Sequence, residues 1–267
     1  MKIRISLSVG GFNEKVCKTW GIEEWQGMDD LDQDVLFFGM YTLHDYDALW
    51  YHTGKKTIFW CGSDILNLTQ VPEFQRRLRL YEIDHYTETS QEADLLASVK
   101  IKAKIVPSFL EDVNDFPITW KPSKTPHVFL SGHPNREEEY GFDLVKAIAP
   151  SLPEFTFHLY GVKGESTANV IYHGNVKNEQ FNKDIQKYHC GLRPNEQDGF
   201  SEIPIKAILN GGYAITRKNL PHMEPYMSPE QLIDKLKKLK EFKEPNLEAR
   251  EYWIAKLNDY PWVKKTT

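Results

Sequence analysis

Three cysteines in 267 residues, Cys17, Cys61 and Cys190, are too few and too scattered for a disulfide framework or a CxxC metal or redox pair. A sparse, odd set fits a reducing compartment, so a cytoplasmic protein is expected. The start, MKIRISLSVGG, alternates too much and is too polar for a signal peptide. Long apolar runs are missing as well. VLFFGMY is far short of the roughly 20 residues that span a bilayer, so no integral membrane segment is expected. Nor is there an excess of positive charge. Lys and Arg number 33 against 38 Asp and Glu, a net charge of −5, which gives no general attraction to nucleic acid or anionic lipid. The deficit is local: residues 1–118 hold twelve basic against nineteen acidic residues, the remainder 21 against 19. The second half is therefore the better home for a polyanionic small ligand.

What is present is a core-forming composition, 40% hydrophobic and 13% aromatic, in an alternating order of elements. Strands are predicted at KIRISLSV, DVLFFGMY, KTIFWCGSDI, YEIDHYTET and KAKIVPSF, with helical spacing between several of them. The prolines and mixed charge near residues 116–126 mark a linker, after which the pattern restarts: HVFLSG, FTFHLYG, NVIYHGNV, CGLRPN and YAITR as strands, separated by helices. The reading is α/β: two Rossmann-like, doubly wound domains, 1–120 and 121–267, facing an interdomain cleft, with ligands at the carboxyl ends of the strands. The last helix, with Leu247, Tyr252, Trp253, Ala255 and Leu257, is expected to pack back on the first domain.

The stretch QDGFSEIPIKAILNGG concentrates chemistry. Ser201 can cap a helix starting at Glu202, Pro204 is tolerated in its first turn, and Gly211 can end it. The turn before it then offers backbone N–H groups of Gly199, Phe200 and Ser201 to an anion at a helix N-terminus, with Asp198 beside them to accept from sugar hydroxyls. The alternative is an ordinary capped helix. Lys206, on its second turn, is either a cation for a bound diphosphate or a solvent-facing lysine.

In order and spacing, HVFLSG…FTFHLYG…NVIYHGNV…CGLRPNEQDGFSEIPIKAILNGGYAIT resembles the C-terminal domain of retaining glycosyltransferases of GT-B architecture, of the large family-4 type. There, strands end in Gly, a V-x-F-x-G-x-V segment follows, and E-G-F-G precedes a second Glu eight residues after the first. The Gly-rich loop at Gly10 and Gly11 and the segment WCGSD extend the resemblance to the first half. It implies a sugar transferase that uses a nucleotide-sugar donor, UDP- or GDP-linked, with retention, without a metal and with no other cofactor. It implies that Asp198 touches donor sugar hydroxyls, and that His173, Gly174 and Val176 cradle the base. Gly132 and His133 match a loop where an Arg is usual, and Gly10 and Gly11 match the N-terminal loop that approaches the phosphates. Three departures stand out: Asp198 is one methylene shorter than the usual Glu, Lys206 replaces the second acid, and the usual basic pair of the first loop is replaced by His133 and Tyr140. Lys206, Arg193 or Arg136 can then supply charge to the leaving group from another direction.

Further candidates come from the first half. His44 and Asp45 follow the second strand, where a His–Asp pair can polarise an acceptor hydroxyl or can simply start a helix. Asp64 is either an acceptor-side acid or the cap of a turn. Asp32 and Asp34 precede their strand, the wrong end for a metal-binding DxD. Cys61 reads as a buried small hydrophobe. Lys100, Lys102 and Lys104 alternate as on a strand, either as a basic stripe or as edge protection. The acceptor is a glycan, a small molecule or modified DNA. Competing functions are a viral-type DNA-base glucosyltransferase and a non-catalytic nucleotide-sugar-binding protein.

Overall fold

The structure is a computed structural model that describes residues 1–9, 13–195 and 199–263. The chain forms two compact units, Met1–Asp112 with Lys256–Thr267, and Val113–Ala255.

The first unit runs β1 (Lys2–Ile5), α1 (Asn13–Trp20), β2 (Glu23–Glu24), β3 (Val35–Phe38), α2 (Leu43–Tyr51), β4 (Lys56–Trp60), α3 (Ser63–Thr69), α4 (Pro72–Leu78), β5 (Ile83–Thr87), α5 (Ser90–Ser98) and β6 (Lys104–Ile105). Its sheet has the order β2-β1-β3-β4-β5-β6, every pair parallel. β3 is apolar throughout and β4 over residues 58–60, because both faces of the sheet are covered. Along β3, Val35 and Phe37 enter one core and Leu36 and Phe38 the other, the period of two that a pleated strand imposes. The tail after Lys256 completes the second of these cores. Tyr260 and Trp262 pack around Trp20, and the Tyr260 hydroxyl accepts from the Phe109 N–H at 2.9 Å.

The second unit runs β7 (His127–Ser131), α6 (Phe142–Ile148), β8 (Thr156–Tyr160), β9 (Val170–Gly174), α7 (Asn178–Ile185), β10 (Cys190–Arg193), α8 (Glu202–Leu209), β11 (Tyr213–Thr216), β12 (Glu224–Pro225), α9 (Pro229–Lys238) and α10 (Leu247–Leu257). Its order is β12-β11-β10-β7-β8-β9, again all parallel. Each sheet thus reverses its winding direction once, between β1 and β3 in the first and between β7 and β10 in the second. At such a point the loops leaving two neighbouring strands diverge and open a crevice at their carboxyl ends.

Some expectations change. Lys100, Lys102 and Lys104 do not share a strand: only Lys104 lies in β6, and Lys100 takes a left-handed turn (φ 63°) just after α5. The apolar face of α10 finds its partner in its own unit, where Trp253 packs on Phe200 at 5.3 Å and donates to the Pro221 carbonyl at 3.1 Å. The residues that join the first unit are those from Lys256 onward. Asp32 and Asp34 precede β3, at the strand's amino end. No helix among the described residues is long and apolar enough to cross a membrane.

Candidate functional site

The crevice of the second sheet gathers most of the residues singled out in that half. Gly132 follows β7, and its N–H donates to the Tyr160 carbonyl at 3.0 Å. Gly161 sits against it with φ +86°, and a Cβ there would lie 2.1 Å from the Gly132 carbonyl oxygen. The close approach of these loops therefore needs glycine. Gly174 continues the row, its carbonyl accepting from Gly161 N–H at 2.8 Å. On the other side of the crevice, Arg193 ends β10. Its guanidinium donates to the Ser131 carbonyl at 3.3 Å and lies over the Tyr140 ring at 4.7 Å. Arg136 approaches the same ring at 5.4 Å, and its Nε donates to the Glu139 carboxylate at 2.7 Å. Tyr140 is thus the hub that carries two cations beside the crevice. His133 is exposed, and its Nδ1 lies 2.9 Å from the Pro134 carbonyl.

The helix start next to Arg193 forms as its residues dictate. The Ser201 hydroxyl accepts from Ile203 N–H at 3.3 Å, and Pro204 occupies the first turn. Phe200 is buried against Trp253, which anchors the loop and leaves its backbone as the part that can face a ligand. Lys206 differs from the solvent-facing alternative. It is only 3% exposed. Its ammonium pairs with Glu202 at 3.3 Å, lies 3.5 Å from Asn178 Oδ1 and sits over the Phe181 ring at 5.3 Å. It neutralises the acid of the first helical turn. Val176 is half-buried in the link between β9 and α7. Gly10, Gly11 and Asp198 lie outside the described residues.

His173 belongs to a row that the sequence reading did not join. His127 Nδ1 lies 2.8 Å from His158 Nε2, and His158 Nδ1 lies 2.9 Å from His173 Nε2. His189 accepts from the His127 N–H at 2.9 Å. Tyr188 stacks on His158 at 4.1 Å and Tyr160 on His173 at 4.3 Å, and the two tyrosine hydroxyls meet at 2.8 Å. Burial, with some repulsion from His127 and His173, pushes His158 down to about 3. Burial lowers His173 and His127 too, with the Asp184 carboxylate partly opposing this at His173. These imidazoles are neutral at neutral pH, and each ring fixes the tautomer of the next. A histidine beside each of three adjacent strands, in HVFLS, FTFHLYG and VIYHG, was the available signal.

The crevice of the first sheet is differently built. Asp45 is buried and accepts from Arg4 at 2.6 Å, Ser6 Oγ at 2.7 Å, Tyr41 N–H at 3.0 Å and Thr42 N–H at 2.8 Å. Burial alone would raise its pKa; the hydrogen bonds from Arg4, Ser6 and Thr42 outweigh that and hold it below the usual carboxylate value. The expected His44–Asp45 pair does not form. On a helix, adjacent residues point in different directions, so Asp45 turns inward while the His44 side chain is exposed and only its carbonyl meets Arg4, at 3.4 Å. Asp64 is fully buried and spends its oxygens on backbone N–H groups of Met40 at 3.0 Å, Cys61 at 3.1 Å and Ile65 at 2.9 Å. It ties the ends of β3 and β4 together. Burial pushes it up to about 7, against the pull of those N–H groups. Burial also raises the Cys61 thiol well above its ordinary value, so it is no thiolate nucleophile. Among the described residues no group of three or more His, Cys, Asp or Glu is arranged to hold a metal ion.

No protein-family model and no curated protein matches the sequence. Solved structures do match the fold. S. aureus TarM, in a complex with UDP, α-GlcNAc-glycerol and fondaparinux, is 12% identical with a TM-score of 0.64, over 85% of this chain and 53% of its own. Sucrose-phosphate synthase from Thermosynechococcus elongatus is 12% identical with a TM-score of 0.62, over 84% of this chain and 69% of its own. A UDP-forming trehalose-phosphate synthase from Burkholderia xenovorans, in complex with glucose-6-phosphate, is 8% identical with a TM-score of 0.60, over 84% and 70%. This chain therefore spans about half the length of TarM. The likeness, with the two parallel sheets, shows the GT-B fold.

Proposed function

We propose that the chain is a glycosyltransferase that moves a sugar from a nucleotide-sugar donor, UDP- or GDP-linked, to an acceptor hydroxyl. The observation that carries this is the convergence, at the winding reversal of the second sheet, of Gly132, Arg193 and the capped start of α8. A guanidinium beside a helix start suits a diphosphate, and the strand end at His173, Gly174 and Val176 would run alongside a base. TarM was solved with UDP and α-GlcNAc-glycerol, and the trehalose-phosphate synthase with glucose-6-phosphate, ligands that carry the nucleoside diphosphate and sugar groups of the proposed reaction.

In the first unit neither Asp45 nor Asp64 is poised as a base, since Asp45 is committed to Arg4 and Ser6, and Asp64 to backbone. The proposal is therefore transfer in which the leaving diphosphate itself takes the acceptor proton, with retention at the anomeric carbon. Protein cations offset the charge that develops, so chelators are expected to leave the rate unchanged. A carbohydrate or small hydroxylated acceptor fits better than modified DNA, because the acidic balance of residues 1–118 repels a polyanion.

A thermal-shift series with UDP-, GDP-, ADP- and CMP-sugars tests the reading, because a ligand of the folded state raises the melting temperature. A shift with one base, and slow hydrolysis of that donor, is expected. A shift without any hydrolysis or transfer identifies a nucleotide-sugar-binding protein instead, and no shift with any donor removes the proposal.

A further inference from the structure

The helix start beside Arg193 is a weaker anion trap than its position suggests. Ser201 already takes the Ile203 N–H, Pro204 has no N–H, and Glu202 places a carboxylate in the first turn. Arg136 leans on Glu139, and Lys206 is turned inward to Glu202. More positive charge would strengthen a phosphate site here. That charge stands at the end of the neighbouring strand. A narrow cleft is lined by Arg193, Asn195, Ser201, Thr216, Arg217 and Lys218, with about 250 Å³ of empty space including its open mouth. Arg217 and Lys218 directly follow β11, and Arg217 N–H donates to the Arg193 carbonyl at 3.3 Å, which sets the two arginines side by side.

An independent observation points to a ligand here. Asn195 lines the same cleft, is only 3% exposed, and its Oδ1 meets no donor among the described residues. A buried amide carbonyl without a donor is costly, and a hydroxyl would satisfy it. The cleft is narrow: the space in it that a water can occupy is about 10 Å³, the room of one water. Only a single hydroxyl fits there, and a phosphate must sit at the mouth among the cations.

We propose that Arg217 and Lys218 form, with Arg193, the subsite that binds the phosphate of the donor, and that Asn195 accepts a hydrogen bond from a hydroxyl of the attached sugar. The ligand class is a glycosyl phosphate: an anion and a hydroxyl donor within one short molecule. This rests on the nucleotide-sugar reading but is tested without it. Arg217 is a positioning and binding residue as well as a structural one, because it also donates to the Met227 carbonyl at 3.3 Å and lies over Tyr226 at 5.5 Å.

The test is isothermal titration of the full chain with inorganic pyrophosphate, glucose-1-phosphate, UDP and GDP. Wild type is expected to bind pyrophosphate. Lys218→Ala and Arg217→Lys are expected to weaken pyrophosphate and UDP together, the double variant by about tenfold or more. Asn195→Ala is expected to weaken glucose-1-phosphate while leaving pyrophosphate unchanged. Arg217→Lys keeps a cation on Tyr226, and melting curves of each variant separate lost binding from lost folding. Pyrophosphate binding that is absent in wild type, or unchanged in folded Lys218→Ala and in the double variant, overturns the phosphate subsite. Equal weakening of both phosphates by Asn195→Ala overturns its role toward the hydroxyl. Pyrophosphate binding that depends on Lys218, with no binding of UDP or GDP, keeps the subsite and removes the nucleotide-sugar reading.

Discussion

Asp45 shows what a buried charge does in this protein. Its carboxylate holds Arg4, Ser6 and the start of α2 at once, and Arg4 is itself buried. Removing the acid strands the guanidinium, so Asp45→Ala should cost about 3–5 kcal/mol, read from the urea midpoint of the first unit's transition. Half of this was legible in the sequence. Arg4 on β1 and Ser6 just after it alternate with Ile3 and Ile5, so one face is polar and the other apolar. Which acid meets that polar face depends on a residue 41 positions away, and no local pattern carries such a pairing. Lys206 teaches the reverse lesson. An exposed helix lysine is the ordinary expectation, but α8 is buried along nearly its whole length, so its lysine is buried too. Lys206→Met keeps the stem over Phe181 and removes both a buried charge and its partner's pairing, so the cost is small, about 1 kcal/mol. Lys206→Glu sets a second carboxylate one turn from Glu202 in a buried place, and should lower stability by about 3 kcal/mol or more in the same measurement. Similar melting temperatures for the two variants would contradict the buried pairing.

Most interior strands were legible because they are covered on both faces and read as mainly apolar runs: VLFF, TIFW, VFLS and FTFHLY each became an interior strand of a sheet. The edge strands were not. β2, β6 and β12 are two residues each, too short for any periodicity to register. The histidine row is an element-scale feature, since it exists only when β7, β8 and β9 lie side by side. Its rings face Tyr188 and Tyr160, with Asp184 as the nearby acid acting on His173. Burial holds His158 at about 3 against an ordinary 6.5. The unfolded chain therefore binds protons between those values that the folded chain refuses, and stability falls as pH drops from about 6.5 toward 3. Asp64, raised to about 7, works in the opposite sense, favouring the fold most below its ordinary 3.8 and losing that contribution as pH rises toward 7. His158→Gln, which does not titrate, should flatten the acid slope of the urea midpoint between pH 6.5 and 4. An unchanged slope would show that the row does not govern acid stability.

At the scale of the molecule, the two winding reversals explain where the proposed site lies. Each parallel sheet opens at one point only, and in the second unit that point collects glycines for close approach, cations and a helix start. The duplicated α/β pattern made the architecture readable from sequence. The origin of the positive charge was not readable, because Arg217 and Lys218 lie beyond the motif and meet it only across the β10–β11 pair. Hydrogen–deuterium exchange, with and without a saturating UDP- or GDP-sugar, tests the central claim most directly. Protection should appear in residues 130–141, 173–178, 193–206 and 216–220 of the second unit. Protection absent from these segments, while the donor demonstrably binds, would place the nucleotide sugar elsewhere and contradict the assignment of this crevice as the donor site.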